Sequence, residues 1–116
     1  AEVSLIKANK KAKSVTIPAV IKVNGVTYKV TSIGAKVFNG NKKLTKVTIG
    51  TNIKKISNNA FYKCRNLKMV TIKSVLLTKK TASKKAFKGT NKKMVIKVPK
   101  KVKKAYVKIF KRFKVK

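Results

Sequence analysis

The side chains able to do chemistry in this sequence are nearly all cations. Thirty-three Lys and Arg stand against one acid, Glu2, for a formal charge of +32 in 116 residues. Acid–base catalysis in its usual form needs paired carboxylates or a histidine near neutrality, and the chain has one carboxylate and no histidine. One cysteine, Cys64, leaves no internal disulfide and no thiolate–imidazole pair. It reads as a small buried hydrophobe. No metal-ligand cluster and no Gly-Lys-Ser/Thr phosphate loop occurs, so no metal or cofactor is expected. A desolvated lysine could act as a base or Schiff-base former, but nothing marks one among so many. The pattern points away from an enzyme and toward binding. Internal ion pairs are almost unavailable, self-repulsion is high, and Coulomb's law favours an anionic partner.

The cations recur in three groups beside apolar positions. Lys42, Lys43 and Lys46 form the first, Lys63, Arg65 and Lys68 the second, Lys88, Lys92 and Lys93 the third. These nine are the candidate anion-binding residues. The apolar positions repeat as well. Val30, Ile33, Phe38, Leu44, Val47 and Ile49 return 23 residues on as Ile53, Ile56, Phe61, Leu67, Val70 and Ile72. A period in the twenties is that of a solenoid, in which each repeat buries its apolar residues against its neighbours. Stacking of such repeats predicts ladders of cations about 4.8 Å apart along one side, a spacing suited to a linear polyanion. For any one lysine, a solvated face that maintains solubility is the plainer reading.

The elements that must position them follow from local pattern. Val3 to Ile6 reads as a first strand and Lys7 to Ser14 as a connection. Val15-Thr16-Ile17-Pro18 then forms a strand that the proline confines to an edge or ends. Asn24-Gly25 between Val20–Val23 and Val26–Val30 is a hairpin signal, because both turn residues tolerate positive φ. Each repeat has a short strand (Val30 to Ile33, Ile53 to Ile56), a turn ending on Phe38 or Phe61, and a second strand (Val47 to Ile49, Val70 to Ile72). A looser third repeat returns Ala86-Phe87, Ile96 and Val98, with Ala82 where Ile56 stood and Leu76 or Leu77 compensating. After Pro99, Val102, Ala105, Tyr106, Ile109, Phe110 and Phe113 predict a one-sided helix that covers the last repeat. Its basic face also has the character of a membrane-surface helix. The organisation is 1–29 as an N-terminal strand and hairpin cap, 30–99 as repeats, and 100–116 as a helical cap. No apolar run reaches the roughly 18 to 20 residues of a membrane span, and no signal-peptide pattern is visible.

Ile33-Gly34 through Val37-Phe38, Leu44 with Val47-Thr48-Ile49, and Ala60-Phe61 through Cys64 with Leu67 and Val70-Thr71-Ile72 carry a resemblance. They resemble BspA-type (Treponema-type) bacterial leucine-rich repeats, in which I-G-x-x-A-F-x-x-C-x-x-L-x-x-V-x-I-P recurs. Val-Thr-Ile-Pro near the start, Tyr28-Lys29-Val30, and Ile96-Lys97-Val98-Pro99 with Ala105-Tyr106 also resemble ends of such proteins, so the likeness spans about residues 14 to 110. Val37, Asn41, Ser57 and Thr90 depart from the pattern as packing variations. The resemblance implies a β-rich leucine-rich-repeat solenoid with short helical turns and about three repeats. It also implies an extracellular or cell-surface setting and adhesion to host or bacterial surface proteins.

Three function classes then stand side by side. One is a monomeric surface binding or adhesion module for acidic proteins, anionic polysaccharides or wall polymers. Another is a nucleic-acid binder. Against it, Arg65 and Arg112 are the only arginines among 33 cations, whereas base and phosphate recognition favours arginine. The Phe38, Phe61 and Phe87 rings also fall at core positions, so any such binding would be non-specific and salt-sensitive. The third is a structural spacer or cap of a longer array.

Overall fold

The computed structural model describes all residues, 1–116. The fold is leucine-rich-repeat-like and β-rich, with one short helix. Nine strands lie in two sheets: β1 Glu2–Leu5, β2 Ser14–Ile17, β3 Val20–Val23, β4 Val26–Ile33, β5 Lys46–Ile49, β6 Lys55–Ile56, β7 Met69–Ile72, β8 Val95–Lys97 and β9 Lys114–Val115. A 3-10 turn, Lys100–Val102, leads into the helix α1, Lys103–Ile109.

The five-stranded sheet is parallel throughout, in the order β2-β5-β7-β8-β9. Its inward rows are Val15, Val47, Val70, Ile96 and Val115, and Ile17, Ile49 and Ile72. The 23-residue period is thus the register itself: Val47 pairs with Val70 and Ile49 with Ile72. Alternation turns Thr48 and Thr71 outward. In the other sheet β4 lies between β1, which is parallel, and β3, which is antiparallel. The end of β4 pairs with β6, and Ile56 bridges to Ala82. The eight residues of β4 run unbroken across position 29/30, so hairpin and first repeat share a strand.

Turns are laddered as well as strands. Phe38 N–H donates to the Ala60 carbonyl at 2.8 Å, and Phe61 N–H to that of Ala86 at 2.8 Å. This stacks Phe38 on Phe61 and Phe61 on Phe87, each at 5.0 Å between centroids and nearly parallel. One continuous core of aliphatic and aromatic residues results, with Cys64 inside it.

The hairpin forms where Asn24-Gly25 predicts it, with φ of 50° and 77°. The first strand begins at Glu2 and leaves Ile6 exposed, and only Lys55 and Ile56 of the expected 53–56 strand pair. Leu77 is buried in the same core as Ala82, whereas Leu76 is exposed. The largest difference is at the end. The helical stripe stops at Ile109, Phe110 leaves helical geometry (φ −107°, ψ 37°), and β9 pairs with β8. An unpaired parallel edge on β8 outweighs one more helical turn, and Lys116 N–H reaches the Ile96 carbonyl at 2.8 Å.

Candidate functional site

All nine candidate cations are exposed, and most lie in the turns leading into the five-stranded sheet. Asparagine caps set those turns. Asn41 Oδ1 accepts from Lys43 N–H at 3.0 Å and Leu44 N–H at 3.1 Å, and Asn91 Oδ1 accepts from Lys93 N–H at 2.9 Å. The shared cap makes Lys42 equivalent to Lys92 and Lys43 to Lys93. The third turn has one residue more before the cap and one fewer after it, which a fixed offset of 26 from Phe61 to Phe87 conceals. Between them, Asn66 Nδ2 donates to the Lys42 carbonyl at 2.6 Å and places Arg65 over Lys42.

The same cap recurs at Asn9, whose Oδ1 accepts from Lys11 N–H at 2.9 Å. The β2–β5 register sets Lys10 beside Lys42, so Lys10, Lys42, Arg65 and Lys92 form an uninterrupted row of four cations. The other six candidates form no such run. Lys43 and Lys93 flank Asn66, with Lys11 beside Lys43 on its other side, and Lys46 lies between Ser14 and Met69. Lys68 N–H donates to the Thr45 carbonyl at 3.0 Å. Gly40 N–H donates to the Tyr62 carbonyl and Lys63 N–H to that of Lys88, so Lys63 falls in the row of Gly40 and Gly89, and Lys88 in the row of Tyr62. One ladder exists, not one per position.

The sheets avoid such rows. Along every paired strand, no lysine stands opposite another: Lys46 meets Ser14 and Met69, Lys55 meets Ser32, Lys97 meets Thr71, and Lys114 meets Val95. Like charges directly opposite are destabilising. The turns are the exception, in the row of Lys10, Lys42, Arg65 and Lys92 and where Lys11 stands beside Lys43.

Nothing anionic neutralises the row. The one salt bridge joins Lys54 Nζ to Glu2 Oε2 at 2.8 Å, with Glu2 in the four-stranded sheet and not in the turns that carry the row, and that hydrogen bond and charge hold the Glu2 carboxyl below its ordinary value. Lys63 Nζ sits 5.2 Å from the Tyr62 ring centroid, a cation–π contact.

Reactive groups are sequestered. Cys64 Sγ donates to the Phe38 carbonyl at 3.0 Å, and burial pushes its thiol up to about 11, so it is neutral at pH 7. Tyr106 is raised by burial as well. Its hydroxyl donates to the Ser74 carbonyl at 2.8 Å and accepts from Leu77 N–H at 3.1 Å, tying α1 to the 74–77 segment. Every buried side-chain polar atom has a partner. There is no cluster of three or more His, Cys, Asp or Glu, and no helix is long and apolar enough to cross a membrane.

A second cationic cluster has no local signal in the sequence. Lys79 and Lys84 come together with Lys108, Lys111 and Arg112 around a cleft beside α1. Only the fold brings the two segments together.

A family profile described as "BspA type Leucine rich repeat region (6 copies)" matches residues 8–116. The chain belongs to the BspA type leucine rich repeat family. Two crystal structures of family-like proteins are similar to it. A leucine-rich repeat protein from Bacteroides ovatus is 24% identical at a TM-score of 0.53, over 73% of this BspA-type chain and 29% of its own length. At that identity the likeness concerns the fold alone. A leucine rich cell surface protein from Faecalibacterium prausnitzii is 25% identical at a TM-score of 0.55, over 84% and 32%. The chain thus spans under a third of either protein. No curated protein matches it.

Proposed function

We propose that this BspA-type chain is a non-catalytic binding module of the bacterial cell surface or exterior, engaging an anionic partner through its cationic turns. In this reading it is a right-handed solenoid of about three coils (30–99), capped by the N-terminal hairpin segment (1–29) and by the 100–116 segment. Its partner is an acidic protein surface or an anionic polysaccharide.

The observation that supports this best is the uncompensated row Lys10, Lys42, Arg65 and Lys92, held in register by backbone, asparagine-cap and Asn66 bonds while the sheets keep lysines apart. Family membership and the printed description of the Faecalibacterium relative as a cell surface protein support the location. Caged thiol chemistry and a lone, ion-paired carboxylate support a role without catalysis.

Binding to heparin, hyaluronan, wall teichoic acid and duplex DNA from about 50 to 500 mM salt tests it, a range over which screening grows strongly. The triple variant Lys42→Gln, Arg65→Gln, Lys92→Gln is compared with Lys22→Gln, Lys73→Gln, Lys101→Gln, which has the same net charge and leaves the row intact. Loss of roughly tenfold more affinity in the row variant is expected, at about 0.5 kcal/mol for each aligned cation. Equal losses in both variants, with all polyanions released together, would leave a generic field and favour the spacer role.

A further inference from the structure

The near-parallel stack Phe38, Phe61 and Phe87 does not continue into a fourth coil. Phe110 and Phe113 instead meet Phe87 edge-on, each at 6.1 Å and at 70° and 77°. The strand β9 extends the five-stranded sheet beyond β8, but on the other side the pairing stops at Ala82. A cleft of about 540 Å³ remains between the Lys79–Phe87 segment and the end of α1, within the size range of ligand sites. Phe87, Phe110, Phe113 and Val107 line it, and Val107 is 43% exposed.

Lys79, Lys84, Lys108, Lys111 and Arg112 surround this apolar lining, with no acid among the lining residues. The only carboxylate side chain of the molecule is engaged by Lys54. An anion with a single charged head would pair with one or two of these cations and leave the rest unbalanced. An extended peptide sets successive side chains about 3.3–3.6 Å apart and meets several of them. Its apolar side chains have aromatic edges and faces to pack on.

We propose that this cleft binds an acidic peptide segment carrying one or two large apolar side chains, the apolar groups against Phe87, Phe110 and Phe113 and the carboxylates on the lysine and arginine rim. The site is separate from the Lys10–Lys42–Arg65–Lys92 row, and either stands if the other fails.

The test uses the full chain and two fluorescein-labelled ten-residue peptides, one alternating Glu with Phe and Leu, the other alternating Glu with Ser. At 150 mM salt the Glu/Phe/Leu peptide binds at least tenfold more tightly, and its amide NMR shifts concentrate at 79–87 and 107–113. Val107→Glu with Arg112→Glu removes that tenfold gain, as does Lys84→Glu with Arg112→Glu, which touches only the rim and keeps the fold measurable should the first variant unfold. The row variant retains the gain. Equal affinity for the two peptides, or shifts centred on Lys42, Arg65 and Lys92, overturns the proposal. Displacement of the peptide by phosphatidylglycerol vesicles that shift the same amides more tightly also overturns it, in favour of a membrane surface.

Discussion

Lys63 offers a quantitative test of the laddered turns. It adopts φ +57°, in the row where the neighbouring coils place Gly40 (φ +72°) and Gly89 (φ +79°). Its N–H is fixed to the Lys88 carbonyl at 2.9 Å, so the turn cannot relax without breaking the stack. An L-residue in this left-handed region costs about 1–2 kcal/mol. Glycine removes that cost but gives back about 0.4–1 kcal/mol through the greater freedom of the unfolded chain. Lys63→Gly and Lys63→Ala lose the same charge and the same contact with Tyr62, so their difference isolates the backbone. Lys63→Gly should be the more stable of the two by about 1 kcal/mol, roughly 4 °C in Tm for a chain of this size. Denaturant midpoints at unchanged slope measure it. If the two variants unfold together, or the alanine form is the more stable, the turn is not strained and the reasoning fails.

Three other outcomes follow from the core and from the scarcity of titrating groups. Phe61 lies between two stacked rings and is fully buried, so Phe61→Ala should cost about 3–5 kcal/mol by chemical denaturation. A loss below about 1 kcal/mol would mean that the stack is not a packed core. From pH 7 down to the carboxylate range no side chain titrates, so Tm followed by circular dichroism should stay level. Only below that does the depressed Glu2 lose its contribution, as pH falls through its folded value; the pair is exposed, so the step is small. Conversely, Cys64 keeps its proton in the fold up to about pH 11. Its contribution is whole below about pH 9, where the unfolded thiol begins to ionise, and on the order of 2 kcal/mol is lost by pH 11. Comparison with Cys64→Ala cancels lysine titration, and identical alkaline profiles would contradict the buried thiol.

Repetition was the legible part of the sequence. Val47 against Val70 and Ile49 against Ile72 could be written down from spacing, because a parallel register equals the repeat length. Asn24-Gly25 announced its hairpin for the same local reason, two residues that accept positive φ. Tertiary competition was not legible. The stripe from Val102 to Phe113 has helical spacing, yet the open edge of β8 captures Lys114 and Val115 and ends the helix at Ile109. Nothing in the residues around Gly50 marks its constraint. A Cβ there would lie 2.5 Å from the Ile17 carbonyl oxygen and 2.9 Å from Ala19 N, a close approach set by residues more than thirty positions away. The cation rows were half legible. Their existence followed from the period, but which residues align depended on the one-residue shift around Asn91.

The placement of charge carries the last step. A chain of +32 with one acid cannot offset repulsion with ion pairs, so its stability depends on keeping cations apart where strands lie about 4.8 Å from each other. The paired strands do so at every position. The turns do not, at Lys10, Lys42, Arg65 and Lys92, where the asparagine caps and the Asn66 bond to the Lys42 carbonyl fix the spacing. A row kept only for solubility has no reason to incur that repulsion, whereas a row that meets an anion regains it on binding. Arg65→Gln should therefore stabilise the free protein by about 0.2–1 kcal/mol at 50 mM salt, the gain fading toward 500 mM as screening sets in. The same substitution should weaken polyanion binding. Stability and affinity moving in opposite directions is the signature of a site held under strain for its ligand. If Arg65→Gln lowers stability, the arginine is part of the packing, and the row loses its claim to be a binding surface.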